Sequence, residues 1–217
     1  MQTKQSRCLF LFTLICLISL SFNSPKVQAD SNWLKYFKKD SLLNTYKTCY
    51  AVLEDSLWTG TYGDGIIVKD GKNVKTINNR NTRSTPPIDD GLISDHITCI
   101  TFDEIRHKVW IGTDQGLCSC NYEGQEWTRY VEGKESLPNN VIRALAMDNS
   151  GNLWVGTPSG ISVFDGEKWK LIDDNNGLLQ ASVHSIKVKG NVVWVGTVGG
   201  SVSRYKDGQW QTIVGFD

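Results

Sequence analysis

The chain has 217 residues, and its 23 lysine and arginine residues balance its 23 aspartate and glutamate residues, so the formal net charge is +0. A neutral chain without a basic stripe is not expected to bind nucleic acid. Eight residues are tryptophan, and a repeated motif accounts for half of them.

Residues 1–29 predict a secretory signal peptide. Lys4 and Arg7 precede a mostly apolar run at residues 8–22, and Val27-Gln28-Ala29 fits the small-x-small cleavage pattern. The apolar run, about 15 residues long, is shorter than the roughly 20 residues that a membrane helix needs. We therefore expect cleavage after Ala29, a periplasmic or secreted chain of residues 30–217, and no membrane span after cleavage.

Four cysteines remain in that mature chain: Cys49, Cys99, Cys118 and Cys120. An oxidising compartment permits disulfides. Because they lie in predicted strands, we expect the four cysteines to serve as small apolar side chains. A disulfide between Cys49 and Cys99 is the alternative.

The mature chain opens with residues 33–37, which are predicted to form a strand. This segment resembles three later ones, at 126–130, 168–172 and 209–213, each with a tryptophan at its second position. Between them the motif Leu/Val-Trp-x-Gly-Thr occurs four times. Its repeated residues are Trp58, Gly60, Thr61, Trp110, Gly112, Thr113, Trp154, Gly156, Thr157, Trp194, Gly196 and Thr197.

Each motif strand follows an apolar strand and precedes a third and a fourth strand, with turns at glycine between them. Four short strands that recur every 40–50 residues or so predict the blades of a β-propeller. The sequence predicts an all-β fold with about four four-stranded antiparallel blades, at 46–77, 96–131, 141–173 and 182–214. The Asn-, Arg- and Pro-containing segment 78–90 is predicted to be an exposed loop, and no helix is predicted.

The strand at 33–37 is surplus, because the last blade already has a fourth strand. The blades form either a compact ring with an extra outer strand or an arc of a larger ring, and we favour the arc. An arc leaves the faces of its end blades uncovered, so we expect self-association or a partner.

The motif itself is interpreted as structural. The tryptophan packs between blades, the glycine permits a close approach or an unusual backbone conformation, and the threonine satisfies backbone groups at the following turn.

The segment Gly151-Asn152-Leu153-Trp154-Val155-Gly156-Thr157, continuing to Asp165, resembles the two-component regulator propeller repeat. That resemblance extends over nearly all of residues 33–213. It implies a periplasmic sensor propeller of the kind found in hybrid histidine kinases, which sense extracytoplasmic ligands, often glycans. The chain departs from those sensors because it has only about four blades and no transmembrane, kinase or receiver segment.

No nucleophile-elbow, zinc-protease or Walker pattern occurs, and no Asp-x-Asp-x-Asp calcium spacing. We therefore expect no catalytic residue, no metal and no cofactor. Ligand-binding residues are expected on the loops that follow Gly-Thr and on the turns between blades. The candidates are Arg143, His184, Tyr62, Asp114, Gln115 and His96.

The first functional hypothesis is a non-catalytic extracytoplasmic propeller that binds a small ligand, a glycan or a protein. One alternative is a propeller lyase or hydrolase that uses His96 or His184 as its base. The other is a truncated propeller fragment that assembles with a partner.

Overall fold

The computed structural model describes residues 46–82, 91–133, 136–173, 178 and 181–213. Residues Tyr46–Asp217 form one compact unit. The predicted signal peptide, its cleavage site and the surplus strand at 33–37 lie outside the described residues, as do residues 83–90 of the predicted inter-blade loop.

The described residues form four antiparallel sheets of four strands each, and strands that are consecutive in the chain are neighbours in every sheet. The predicted all-β propeller is therefore confirmed, with one sheet per blade. Blade 1 contains β1 (Lys47–Leu53), β2 (Ser56–Thr61), β3 (Ile66–Asp70) and β4 (Asn73–Ile77). Blade 2 contains β5 (Ile97–Asp103), β6 (Lys108–Thr113), β7 (Leu117–Asn121) and β8 (Thr128–Tyr130).

The last two sheets repeat the arrangement. Blade 3 contains β9 (Ala144–Met147), β10 (Leu153–Thr157), β11 (Gly160–Phe164) and β12 (Trp169–Ile172). Blade 4 contains β13 (Val183–Lys189), β14 (Val192–Thr197), β15 (Val202–Lys206) and β16 (Gln209–Ile213). The Trp-x-Gly-Thr motif occupies the second strand of every blade.

One short helix, α1 (Asn79–Thr82), follows blade 1, where the sequence predicted a loop and no helix. The side-chain oxygen of Asn78 accepts hydrogen bonds from the backbone N–H groups of Arg80 and Asn81, as the cap of a helix N-terminus does. Asparagine favours such local bonds over long helices. The prediction that the chain has no helix was therefore wrong for this single turn.

The motif tryptophans fill the interfaces between consecutive blades. The first three are 1%, 1% and 3% exposed, and each contacts large rings of the following blade. The ring pairs are Trp58–Phe102, Trp110–Phe164, Trp110–Trp169, Trp154–Tyr205 and Trp154–Trp210, with centroids 5.2–6.5 Å apart. Apolar burial between blades is thus the main stabilising term of the fold.

The motif glycine allows the next blade to approach the motif strand. A Cβ atom on Gly112 would lie 2.7 Å from Cγ2 of Ile142 in the segment leading into blade 3, closer than van der Waals contact allows. Gly60 has the same relation to Ile97, and Gly156 to Val183. The residue therefore serves close packing at these three interfaces.

The motif threonine fixes the loop that follows it. Its hydroxyl donates a hydrogen bond to a backbone carbonyl in that loop in every blade. The pairs are Thr61–Gly65 at 2.7 Å, Thr113–Gly116 at 2.8 Å, Thr157–Gly160 at 2.9 Å and Thr197–Ser201 at 3.3 Å. These bonds give the loops a defined backbone, so the side chains just after Gly-Thr point out from a rigid support.

Arg106 ties blade 2 to blade 3. Its guanidinium donates to Asp103 at 2.9 Å within blade 2, and to the backbone oxygens of Gly151 at 2.8 Å and Asp165 at 2.7 Å in blade 3. The Asp103 carboxylate is fully buried and also accepts from the indole N–H of Trp110 at 3.4 Å. A buried carboxylate is tolerated because it is paired and hydrogen-bonded.

The substantial contacts between blades join consecutive blades only, among the residues that the structure describes: β1 packs on β5, β5 on β9, and β9 on β13. A closed four-bladed ring would also bring β1 against β13, and that pair does not pack to a comparable extent. Among the described residues, the four blades therefore form a series in which only consecutive blades pack substantially on one another.

Cys99, Cys118 and Cys120 are free thiols. The alternative Cys49–Cys99 bridge is therefore not formed. Cys118 and Cys120 are fully buried in β7, as small apolar strand residues are. Burial raises the pKa of each of these two thiols to about 12.

Candidate functional site

A ring stack lies at the edge where blade 1 meets blade 2. The rings of Tyr62, just after the first Gly-Thr, and His96, just before β5, are stacked with centroids 4.3 Å apart and an interplanar angle of 22°. Tyr62 is 66% exposed. Since His96 covers one face of the tyrosine ring, the exposed surface of Tyr62 offers a flat apolar platform to solvent.

A carboxylate completes this cluster. Asp114, just after the second Gly-Thr, accepts a hydrogen bond from the Ser94 hydroxyl at 2.6 Å and lies 3.1 Å from Nδ1 of His96. A carboxylate can only accept hydrogen bonds, so Nδ1 of His96 carries the hydrogen. In the neutral imidazole, Nε2 is then left as an acceptor at a ring that is partly exposed.

The backbone around this cluster is held from both blades. Tyr62 and His96 face each other as an isolated antiparallel bridge. The backbone N–H groups of Gly63 and Gly65 donate to the carbonyl oxygen of Asp95, each at 3.1 Å, and the side chain of Asp95 accepts from the N–H of Asn79 at 2.6 Å. The loop after β2 and the turn before β5 therefore form one unit.

Three of the six predicted ligand residues thus come together: Tyr62, His96 and Asp114. Gln115 is the exposed neighbour of Asp114, and its backbone N–H donates to the hydroxyl of Thr113 at 3.1 Å. We call Tyr62, Ser94, His96 and Asp114 the edge cluster.

The other two candidates lie elsewhere. Arg143 comes just before β9 and donates to the Ser182 hydroxyl at 3.1 Å and the carbonyl of Val183 at 3.2 Å, so its guanidinium links blade 3 to blade 4. His184 is exposed on β13. The structure does not join either of them to the edge cluster.

Ser94 and Asp95 were missed by the sequence reasoning. Ser94 orients Asp114, and Asp95 holds the loop that carries Tyr62. Ser94 could have been recognised from its position in the inter-blade turn beside His96. Such turns carry side chains that face the loops after Gly-Thr. Within the described residues, no three His, Cys, Asp or Glu side chains are grouped so as to hold a metal ion.

The sequence profile of the family described as two component regulator propeller matches residues 136–159. Residues 136–159 of this chain thus match the two-component regulator propeller repeat. The matched segment begins in the turn before blade 3 and ends just after its Trp-x-Gly-Thr motif, so the profile covers the same unit that recurs in all four blades.

Two sensor proteins resemble the chain. Histidine kinase P4 of Formosa agariphila is 30% identical to it over 116 residues, which are 52% of this chain and 8% of the kinase. The extracellular domain of the hybrid two component system BT3049 from B. thetaiotaomicron superimposes with a TM-score of 0.66 and 20% identity, covering 78% of this chain and 24% of that one. The chain therefore spans a small part of each of these proteins.

An enzyme shares the fold as well. The structure of an ancestral GH74 enzyme superimposes with a TM-score of 0.58 and 14% identity, over 79% of this chain and 24% of the enzyme. At that identity the likeness concerns the propeller fold alone. In the described part of the chain, no helix is both long and apolar enough to cross a bilayer.

Proposed function

We propose that this protein is a non-catalytic extracytoplasmic binding propeller and that the edge cluster forms part of its ligand site. The stack of Tyr62 on His96, with Asp114 beside it, is the observation that carries the proposal. An exposed aromatic face next to a few fixed polar groups is the usual composition of a small-molecule site. The resemblance to extracellular sensor domains and the predicted signal peptide support the extracytoplasmic location.

A glycan is the ligand class that fits this chemistry best. The apolar C–H face of a sugar ring can pack on the exposed ring of Tyr62, because aromatic rings attract such positively polarised edges. Sugar hydroxyls can donate to the Asp114 carboxylate and to Nε2 of His96. Another small ligand or a protein partner would use the same platform without this match of donors and acceptors.

The test begins with a thermal-shift screen of the protein against neutral and acidic oligosaccharides, followed by calorimetric titration of the saccharides that raise the melting temperature. Replacing Tyr62→Ala is expected to weaken binding roughly three- to tenfold, since aromatic packing is worth about 0.5–1.5 kcal/mol. Val198→Ala is the matched control, because Val198 is exposed at the same place in blade 4. Equal affinity of the two variants would refute the edge cluster as the site.

The hydrogen bond between Asp114 and His96 favours one second candidate, the propeller hydrolase or lyase. A carboxylate that fixes Nδ1–H leaves Nε2 of the imidazole as a general base. Incubating the protein with the saccharides that bind and analysing products by chromatography separates the two functions. An enzyme releases product, and His96→Gln abolishes the release while binding persists. A binding propeller returns the saccharide unchanged.

A further inference from the structure

One residue in the first strand of each blade lies at a β-bulge. The first strands β1, β5, β9 and β13 pack on one another in this order, so they form the inner edge at which the blades converge. The register skips one residue in three of these strands, and the skipped residues are Thr48, Thr98 and His184. Arg143 has the same place in blade 3, where its backbone N–H donates to the carbonyl oxygen of Gly156 at 2.8 Å. We call Thr48, Thr98, Arg143 and His184 the inner row.

The inner row changes character between the first two blades and the last two. A β-bulge redirects the side chain of the extra residue, and bulges are frequent beside functional sites. In blades 1 and 2 the side chain is a threonine hydroxyl, which bonds the sulfur of the next residue, at 3.9 Å for Thr48 and 3.5 Å for Thr98. A threonine therefore suffices for the blade fold at this position. The repeat does not require the guanidinium of Arg143 or the imidazole of His184.

The guanidinium of Arg143 is fixed in position along one side only. Its Nη1 donates to the hydroxyl of Ser182 at 3.1 Å and to the carbonyl oxygen of Val183 at 3.2 Å. Among the described residues, no acceptor bonds Nε or Nη2, and the ion pairs involve other side chains. Two neighbouring N–H groups of this kind bind the two oxygens of a carboxylate in parallel. Arg143 thus presents an oriented pair of charged donors at the inner edge.

His184 adds a further donor at the same place. It follows Val183 directly, so its backbone lies beside the carbonyl group that Arg143 contacts. The His184 side chain is exposed. A neutral imidazole donates from one ring nitrogen and a protonated one donates from both. Blades 3 and 4 therefore place a cation and an imidazole next to each other at the inner edge, where blades 1 and 2 have only hydroxyl groups.

We propose that the inner row binds a carboxylate group of the ligand at Arg143 and His184, so that the ligand is an acidic saccharide. The two carboxylate oxygens accept from Nε and Nη2 of Arg143, and the imidazole of His184 donates to one of them. That the ligand is a saccharide rests on the function proposed above. At the edge cluster, the negative charge of Asp114 repels a carboxylate and accepts from hydroxyl groups. The two parts of the molecule therefore select groups of opposite character.

The experiment titrates the full chain by calorimetry with trimers of galacturonate, mannuronate and glucuronate and with their methyl esters. Esterification removes the negative charge and keeps the sugar. We expect at least one acid to bind roughly tenfold or more tightly than its ester, because hydrogen bonds to charged groups are the strong ones. Arg143→Gln should reduce this preference to about twofold or less, and His184→Gln should reduce it by roughly two- to fivefold.

Lys170→Gln is the matched control, because it removes one positive charge at an exposed position of β12 in the same blade as Arg143. It should keep the preference for the acid. Circular dichroism checks that each variant folds. His184→Gln alters an exposed side chain, so it tests the site even where Arg143→Gln destabilises the contact between blades 3 and 4.

Three results would overturn the proposal. They are equal affinity for acids and esters, a preference that Arg143→Gln and His184→Gln both leave unchanged, and no binding of any of these compounds at about 1 mM, the weak end of specific affinity. The proposed ligand site is judged separately. An ester that binds and loses affinity in Tyr62→Ala supports the edge cluster even if the acids show no advantage.

Discussion

Blade 2 and blade 4 carry the same Val-Trp-x-Gly-Thr motif in different surroundings. In blade 2, Trp110 is sealed by rings of blade 3, and Gly112 lies under Ile142. In blade 4, Trp194 is half-buried, and no described residue of another blade lies over Gly196. The motif therefore specifies the strand and the turn of its own blade, while its burial depends on what lies across the interface. Paired substitutions in the two blades measure that dependence.

The largest difference is expected for the tryptophans. Trp110→Ala should lower the free energy of unfolding by about 3–5 kcal/mol, because it leaves a cavity among the rings of blade 3. Trp194→Ala should cost about 1 kcal/mol, the average for a substitution outside a sealed core. Urea unfolding followed by circular dichroism measures both. If the two variants lose the same stability, blade 4 is covered by a neighbour as blade 2 is.

A second pair concerns one charged residue of blade 2 and one of blade 4. Arg106→Met removes the donors to the buried Asp103 and to two carbonyls of blade 3, and should cost about 2–3 kcal/mol. Lys189→Met, at the exposed end of β13, should change stability by no more than about 0.5 kcal/mol. The same unfolding measurement applies. A neutral Arg106→Met variant would show that apolar packing alone holds blades 2 and 3 together.

The glycines form a third pair. Gly112→Ala forces a Cβ atom to within 2.5 Å of the Cys99 sulfur in its own blade and 2.7 Å of Ile142 at the next blade, and overpacking of this kind costs about 1–3 kcal/mol. Among the described residues, a Cβ atom on Gly196 would meet only the Ser185 hydroxyl, at 2.7 Å. That hydroxyl can rotate away, so the effect of Gly196→Ala should stay within about 0.5 kcal/mol. Thermal unfolding monitored by tryptophan fluorescence distinguishes the two, and comparable melting temperatures would contradict the close-approach role of Gly112.

The smallest effect concerns thiol chemistry and leaves stability unchanged near neutral pH. Burial raises the pKa of Cys99 from 9.0 to about 12, and the thiolate is the reactive form. Cys99 should therefore resist alkylation in the native protein, whereas a cysteine placed at the exposed counterpart in blade 4 by Ser185→Cys should react at once. Mass spectrometry after iodoacetamide treatment reports both. Rapid labelling of Cys99 would mean that blades 2 and 3 separate readily.

The raised pKa values of the buried thiols also make the free energy of unfolding depend on pH. Since the pKa of the buried thiols is higher in the folded than in the unfolded chain, they contribute their full stability below about pH 9. That contribution is lost as the pH rises toward 12. A stability curve from urea unfolding at increasing pH should fall in this interval.

The fourfold repetition made the blades predictable, because each strand and each turn reappears with its own spacing. The structural roles of Trp110, Gly112 and Thr113 could also be predicted, because the same three residue types recur at the same motif positions in all four copies. Periodicity says nothing about whether β1 meets β13, so the sequence favoured the arc only through the surplus strand at 33–37. The edge cluster was predictable only as separate candidates. The hydrogen bond between His96 and Asp114 depends on a turn that Asn79 and Asp95 hold, and no local pattern marks that pairing.

The linear order of contacts from β1 through β5 and β9 to β13 has a consequence for cooperativity. In a row of units that touch only their neighbours, stability is a sum of unit terms and interface terms. Blade 3 is clamped from both sides, while blade 4 has an interface with blade 3 alone among the described blades. Amide hydrogens of β14 and β15 should therefore exchange by partial opening of blade 4, at a lower free energy than those of β10 and β11. Blade 4 is thus the part of the described row that opens most easily.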